Sequence, residues 1–284
     1  MRRRDRRLAH AEERVLIIGA SSGVGRALAK RYAARGARVC AVARRADQMA
    51  SLAAECGERC IGRVADFSKP EDMVALRDFL LAEWGGLDTV HISAGVSALR
   101  PMMQLTGVET ASEDASIAGI RNAVDISGKA IQGNFVGPLV SALTFIPTLI
   151  RTSPSPAILL VSSVAALIPP PTRALYGSTK ASSLLLFQAI AIEHPEIAFT
   201  NLIPATIEGD FRASAVDGGP VREANPNQHG LKLDYVAKRC ADAVDEAATG
   251  NVIVPWIPYG LGHILYWFWP TFVENRARKK YNYP

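Results

Sequence analysis

The feature that most narrows the fold is a rhythm along the chain. Short apolar runs alternate with helix-length amphipathic segments from Val15 to Pro255. The candidate strands are Val15–Ile18, Arg38–Ala43, Cys60–Val64, Thr89–Ser93, Ala157–Val161, Ala198–Ile203 and Val252–Pro255. Helix patterns lie near Arg26–Arg35, Ala46–Ala54, Pro70–Trp84, Ile131–Ile150, Tyr176–Glu193 and Tyr235–Ala248. Most strands are apolar on successive residues, as strands covered by helices on both faces are. The alternation predicts an α/β fold, one doubly wound domain around a parallel sheet. At 49% hydrophobic and 21% charged residues, the 284-residue chain has a soluble, globular composition, which excludes a disordered, fibrous or multi-pass membrane class.

Two segments stand outside the rhythm. Thr106–Lys129 is polar and rich in small residues, and it reads as a helical elaboration near a pocket rim. Asp210–Lys232 is rich in Gly, Pro, Asn and charge; a loop of that length in a compact domain reads as a binding loop or lid. Four cysteines, Cys40, Cys56, Cys60 and Cys240, are too few for a disulfide scaffold, and no His or acid pair beside them suggests a metal site. Met1–Arg14 is basic but lacks an apolar core, so a secretory signal is not expected; a cytoplasmic chain is.

Val15–Ile18 runs directly into Gly19-Ala20-Ser21-Ser22-Gly23-Val24-Gly25, and a helix pattern follows from Arg26. Strand, glycine-rich turn and helix start, in that order, make a dinucleotide site. Glycines let the backbone approach the pyrophosphate, and the helix N-terminus supplies free N–H groups. The spacing, G-x3-G-x-G, resembles the first-turn motif TGxxxGxG of the short-chain dehydrogenase/reductase family, with Ile18 in the place of the Thr. The resemblance implies a single Rossmann-type domain with a seven-stranded parallel sheet of order 3-2-1-4-5-6-7 and helices on both faces. It covers Arg14 to about Val254 and sets three expected regions: a basic flexible N-terminus at 1–13, the domain at 14–256 with a lid near 208–232, and an aromatic and basic extension at 257–284.

The end of the second strand reads Val42-Ala43-Arg44-Arg45, with two guanidiniums where NAD-using relatives carry an acid. A carboxylate would repel a ribose 2′-phosphate and an arginine binds it, so the cofactor is predicted to be NADP(H), with Arg44 the leading contact and Arg45 the second. Asp66 and Phe67 match the adenine side of the family's site. Ser93-Ala94-Gly95 takes the place of the end of the family's NNAG segment, with Ser93 for the second Asn. Pro204-Ala205-Thr206-Ile207 matches its nicotinamide-contacting Pro-Gly-x-Val.

Tyr176-Gly177-Ser178-Thr179-Lys180 is a YxxxK match whose spacing puts Tyr176 and Lys180 on one helix face. Ser163 lies thirteen residues before Tyr176, and Asn134 falls where relatives carry a helix asparagine. The four resemble the family's Asn-Ser-Tyr-Lys tetrad. A phenol ordinarily titrates near ~10, and a nearby ammonium favours its ionised form. The tetrad therefore implies Tyr176 as proton donor or acceptor, with Lys180 tuning it and holding the nicotinamide ribose. Ser163 would orient the substrate oxygen, and Asn134 would hold a water that links Lys180 to solvent.

Nine of the twenty aromatic residues fall between Trp256 and Tyr283, and Arg276, Arg278, Lys279 and Lys280 lie among the last of them. Prolines at 255, 258 and 270 make the stretch too short for a membrane span. Two readings remain open: a peripheral membrane contact through about 256–280, or a self-association surface or packed tail. The segment also looks like the hydroxysteroid-dehydrogenase-like branch, where such residues line the pocket entrance. Of the net charge of +5, residues 1–10 hold +4 and 274–284 hold +3, so the body is slightly acidic and nucleic acid is not an expected partner. The leading expectation is an NADP(H)-dependent carbonyl reductase or alcohol dehydrogenase acting on a small lipophilic ketone, sterol-like or acyl substrate. A catalytically idle NADP(H)-binding regulator, or a dehydratase or epimerase on the same site, are the alternatives. The family resemblance implies a homodimer or homotetramer through the helices that begin near Ile131 and Tyr176.

Overall fold

Seven strands form one parallel sheet: β1 (Arg14–Ile18), β2 (Arg38–Ala43), β3 (Cys60–Val64), β4 (Thr89–Ile92), β5 (Ala157–Val161), β6 (Ala198–Pro204) and β7 (Gly250–Val254). Their order is β3-β2-β1-β4-β5-β6-β7, the order the family resemblance implies. The computed structural model of the protein describes residues 8–110, 112–223 and 226–283. Residues 1–7 of the basic N-terminal tract therefore lie outside the described residues; His10–Glu12 form a single 3-10 turn.

Helices α1 (Gly23–Ala34), α2 (Ala46–Cys56) and α3 (Pro70–Trp84) follow the first three strands. A short α4 (Met102–Leu105) and α5 (Ile117–Ile131) follow β4, and one π turn, Gln132–Val136, joins α5 to α6 (Gly137–Thr152). The rest are α7 (Ala174–Glu193), the short α8 (Pro226–His229), α9 (Leu233–Asp245), α10 (Trp256–Phe268) and α11 (Pro270–Lys280).

The central strands are apolar on both sides because both faces are covered. On one face Val15, Ile17, Val39 and Leu159 pack with Leu28 and Tyr32 of α1, Leu52 of α2 and Val236 and Val244 of α9. On the other, Leu16, Ile18, Val90 and Leu160 pack with Met73 and Leu80 of α3, Phe145 and Leu149 of α6 and Phe187 of α7. Every β5 residue is buried. The helical run from Ile117 to Thr152 is long and apolar enough to cross a bilayer. Its second half is a core helix of this sheet, with Ala142, Phe145 and Leu149 fully buried.

The chain passes from β3 at one edge back to β4 beside β1, so the strand order reverses between β1 and β4. In open α/β sheets, ligands bind outside the C-terminal strand ends at such a switch point. There lie Gly19 after β1, Arg44 after β2, Ser93 after β4, Ser162 after β5 and Ala205 after β6.

The sequence pattern starts the long middle helix at Ile131, but helical structure begins at Ile117, where Ser116 Oγ caps it by accepting from Gly119 N (3.0 Å). This is the helical elaboration expected within Thr106–Lys129, although its Ile117, Ile120 and Val124 are exposed, and it runs on into the helix expected from Ile131. Its inner side supplies Asp125, Gly128 and Lys129 to the cavity wall, the rim position anticipated for it.

Candidate active site

One cavity of ≈1720 Å³ runs along the C-terminal edge of the sheet, from Arg44 and Asp66 at one end to Leu261 and Lys280 at the other. All the sequence-predicted cofactor positions but Gly25 line it. Gly25 lies just beneath, buried in the first turn of α1.

The glycine turn is shaped by close approach. Gly19 has φ +91°, and a Cβ there would sit 2.5 Å from the Ala94 nitrogen. A Cβ on Gly25 would lie 2.3 Å from the Gly19 carbonyl oxygen. The turn, the start of α1 and the β4 end therefore touch without side chains between them. Ser22 is the N-cap of α1 but makes no side-chain cap bond, so the first N–H groups of the helix keep their capacity for an anion. The hydroxyls of Ser21 and Ser22 instead accept from Arg45 Nη2, at 2.8 and 3.1 Å. Arg44 lines the same cavity end. These residues fit a dinucleotide: the glycine cradle would close if it carried Cβ atoms, and the free N–H groups of α1 face the same cavity as Arg44 and Arg45.

Asp66 Oδ1 accepts from Ser68 N (3.1 Å) and Ser68 Oγ (2.8 Å). Burial pushes this carboxyl up, but the Ser68 bonds and the Arg44 charge outweigh it and hold it below the ordinary aspartate value. Phe67 packs on Gly137, where a Cβ would lie 2.2 Å from its ring. Ser93, in the place of an amide, donates to the Ile18 carbonyl through both N and Oγ, each at 2.9 Å, and so ties β4 to β1.

Three of the four predicted residues, Ser163, Tyr176 and Lys180, line the other end of the cavity, and Asn134 is buried behind Gly95, close to Lys180. Tyr176 and Lys180 stand one turn apart on α7, 6% and 4% exposed. Lys180 Nζ donates to the Val161 carbonyl at 3.0 Å. Burial holds the Lys180 ammonium below its ordinary range, and the neighbouring Tyr176 offsets part of that. Ser163 begins the turn after β5, and its Oγ accepts from Ala165 N (3.2 Å), which leaves its O–H free to donate. Asn134 is fully buried in the π turn, a device often found at functional sites. Its Nδ2 donates to Val96 O (2.9 Å) and Thr179 Oγ1 (3.0 Å), and its Oδ1 accepts from Val96 N (2.9 Å). Both amide hydrogens are thus committed, and one Oδ1 lone pair is the side chain's remaining capacity for a water.

At the β6 end, Ala205 N donates to Val254 O (2.8 Å), and Ile207 bridges Leu231. That bridge brings the two ends of the lid segment together. Val216 N donates to Ser97 O at 2.9 Å, and Asp217 Oδ2 accepts from Leu99 N (2.6 Å) and Arg100 N (2.8 Å), which moors the lid to the loop after β4.

Several residues in this site carried no sequence signal. Arg173 and Phe211 both contact the Tyr176 ring. Thr206 Oγ1 donates to Glu223 Oε1 (2.9 Å), and Glu223 pairs with Arg212. The C-terminal extension is two helices rather than one, broken at Trp269 ahead of Pro270. The second returns across the cavity, so that Lys280 Nζ lies 3.2 Å from Thr206 Oγ1 and 3.7 Å from Glu223 Oε1, with Tyr281 buried beside it.

The short chain dehydrogenase family model matches residues 13–218. The chain is 32% identical over 204 residues to 11-beta-hydroxysteroid dehydrogenase 1A of Arabidopsis thaliana, covering 69% of this chain and 53% of that protein, so it spans about half the relative's length. In three dimensions it resembles a short chain dehydrogenase/reductase from Burkholderia phymatum in complex with NAD (TM-score 0.75, 18% identity, 92% of this chain and 96% of that one). It also resembles an alcohol dehydrogenase from the archaeon Thermococcus sibiricus complexed with 5-hydroxy-NADP (TM-score 0.67, 23% identity, 85% and 95%). The glycine turn, the buried Tyr176–Lys180 pair, the strand order and the family match agree: the chain belongs to the short-chain dehydrogenase/reductase family, oxidoreductases that act on CH–OH and C=O groups with a nicotinamide cofactor.

Proposed function

We propose that the protein is an NADP(H)-dependent reductase of lipophilic ketones, or the corresponding alcohol dehydrogenase. The observation that carries this reading is the continuity of one cavity, which joins the Arg44–Arg45 end to Tyr176 and Lys180. Bound there, the nicotinamide supplies or accepts the hydride. Tyr176 gives its phenolic proton to the carbonyl oxygen in reduction and takes it back in oxidation. Lys180, charged and one turn away, stabilises the phenolate that remains. The Ser163 O–H orients the carbonyl oxygen. Asn134 clamps Val96 to Thr179 and so holds the Lys180 turn of α7 against the β4 end. The apolar wall of Ile168, Leu261, Leu265 and Phe272 favours a lipophilic substrate body.

The preference for NADP(H) rests on Arg44 and Arg45 and on the lack of any acid at the β2 end. Oxidation of NADPH and of NADH, followed side by side against a panel of diketones and ketosteroids, tests both parts. Turnover with NADPH well above NADH supports the reading. Equal turnover at equal concentration contradicts the cofactor choice, and no turnover across the panel contradicts the substrate class.

Two surfaces support the partner expectations. Trp267, Phe268 and Trp269 are 76%, 83% and 60% exposed at the break between α10 and α11, with Arg276, Arg278 and Lys279 on the helix that follows. Aromatic groups beside a basic flank suit peripheral contact with an anionic lipid surface. Sedimentation with anionic liposomes tests this: Trp267→Ser with Phe268→Ser should lose binding, and unchanged binding contradicts it. Leu143 on α6 and Leu185 and Ile192 on α7 are also exposed, which supports self-association through those helices. A monomer in sedimentation at micromolar concentration would contradict that.

A further inference from the structure

Arg173 is a buried cation at the reaction centre that the Tyr–Lys chemistry does not need. It is 5% exposed, and its guanidinium lies 4.2 Å from the Tyr176 ring centroid. Its Nη2 donates to Ser97 Oγ (3.1 Å), while its buried Nε has no hydrogen-bond partner. Among the described residues no carboxylate pairs with it. Glu223, whose titration it influences, is paired with Arg212 and Lys280. An unpaired buried charge is costly.

The backbone is strained to place it. Thr172, the preceding residue, is β-branched and buried, yet has φ +64°. Such a residue in the left-handed region persists only when its surroundings impose it, and strain of this kind clusters at binding sites. Here it follows Pro169-Pro170-Pro171 and sets Arg173 as the N-cap of α7, one turn before Tyr176.

The charge around this end of the cavity is unbalanced. Arg173, Lys180, Arg212 and Lys280 all line it. Apart from Asp66 at the far end, the lining acids are Asp125 on α5, Glu208, which pairs with Lys232, and the exposed Asp210; Glu223, which pairs with Arg212 and Lys280, is not itself in the wall, and Arg173 and Lys180 keep no carboxylate partner among the described residues. Arg173 lines the cavity beside Tyr176, and a guanidinium there without a carboxylate partner among the described residues suits a planar carboxylate.

We propose that the substrate is an anionic amphiphile: an oxo acid, or its hydroxy acid, with an apolar body and a carboxylate within a few bonds of the reacting carbon. Arg173 is the counter-ion for that carboxylate and so determines specificity. This rests on the reductase reading of Tyr176 and Lys180, and it narrows the substrate class within it.

Binding of unreactive probes tests the inference without turnover. Decanoate and decanamide have the same chain and differ in charge. Each is titrated by calorimetry into the full-length protein saturated with NADP+. Decanoate should bind about tenfold or more tighter than decanamide, the range of a charge-assisted bond. Arg173→Gln should erase the difference, and Arg173→Lys should keep part of it. Equal binding of the two probes to the unsubstituted protein overturns the proposal, and that comparison needs no variant to fold. A preference that survives in an Arg173→Gln protein that still binds NADP+ overturns it too. Tyr176→Phe should keep the decanoate preference. An intact preference beside a reductase assay without activity would therefore overturn the reading of Tyr176 and leave Arg173 as the anion site.

Discussion

Arg45 reaches back from the end of β2 to donate to Ser21 and Ser22, so a cation is fixed on the glycine turn itself. Arg44 lies beside it and was the leading sequence candidate. The geometry gives Arg45 the anchored position and Arg44 the neighbouring wall. A bound 2′-phosphate would take both. Arg45→Ala should raise KM for NADPH by roughly ten- to a hundredfold, the value of one charge-assisted bond to phosphate, and leave KM for NADH almost unchanged. Steady-state kinetics with the two cofactors provide the check. An equal rise for both would assign Arg45 to shaping the turn.

Asn134 illustrates a catalytic-motif residue whose side chain is already committed. Its amide makes three hydrogen bonds while fully buried. Asn134→Leu should cost about 2–4 kcal/mol of stability, because Val96 and Thr179 would keep buried polar groups without partners. Urea unfolding measures this. A change below about 0.5 kcal/mol would mean that the site relaxes around the loss.

Lys180 links stability to function with opposite signs. Burial holds its pKa below the ordinary value of 10.5. The unfolded chain therefore binds more protons than the folded one between those two values, and stability rises with pH across that window. Lys180→Met should abolish turnover yet unfold at higher denaturant near neutral pH. Its advantage should shrink as pH climbs towards the ordinary lysine range. A variant less stable than the parent at neutral pH would contradict this account.

Glu223 ties the C-terminal helix to the site through Lys280. Burial pushes its carboxyl up, but Arg212 and Lys280 outweigh this and hold it below the ordinary 4.5. The stabilisation is complete above that ordinary value and is lost as pH falls through the depressed one. Glu223→Gln should therefore speed proteolytic clipping within α11 at neutral pH. The unsubstituted protein should show the same sensitivity only in acid. Equal clipping of both at neutral pH would mean that Tyr281 and its packing hold the tail alone.

How far the sequence could be read follows from what each part depends on. Buried strands such as Ala157–Val161 announce themselves by composition, and the Gly19–Gly25 turn and the Tyr176–Lys180 spacing are local patterns that survive without tertiary information. The helical elaboration expected over Thr106–Lys129 is α5, but its bounds were not legible, because Ile117, Ile120 and Val124 stay exposed and no core contact fixes where it starts. The sequence left membrane contact and a packed or self-associating tail both open, because nothing local shows that the chain folds back over the cavity after Trp269 and Pro270. Lys280 meets Thr206 only across 74 residues of sequence separation. Arg173 lies three residues before Tyr176 and belongs to no local motif; its meaning comes from the strained Thr172 and from a cavity assembled by distant segments.

The proposed role of Tyr176 is to transfer the proton at the carbonyl oxygen. Its most direct test is the single-turnover rate of NADPH oxidation with one good ketone substrate, compared between the unsubstituted protein and Tyr176→Phe. The substitution removes one oxygen and keeps the ring against Arg173 and Phe211. The expected result is a loss of about 10²–10⁴-fold with NADPH binding intact. A Tyr176→Phe protein that keeps most of its turnover would contradict it.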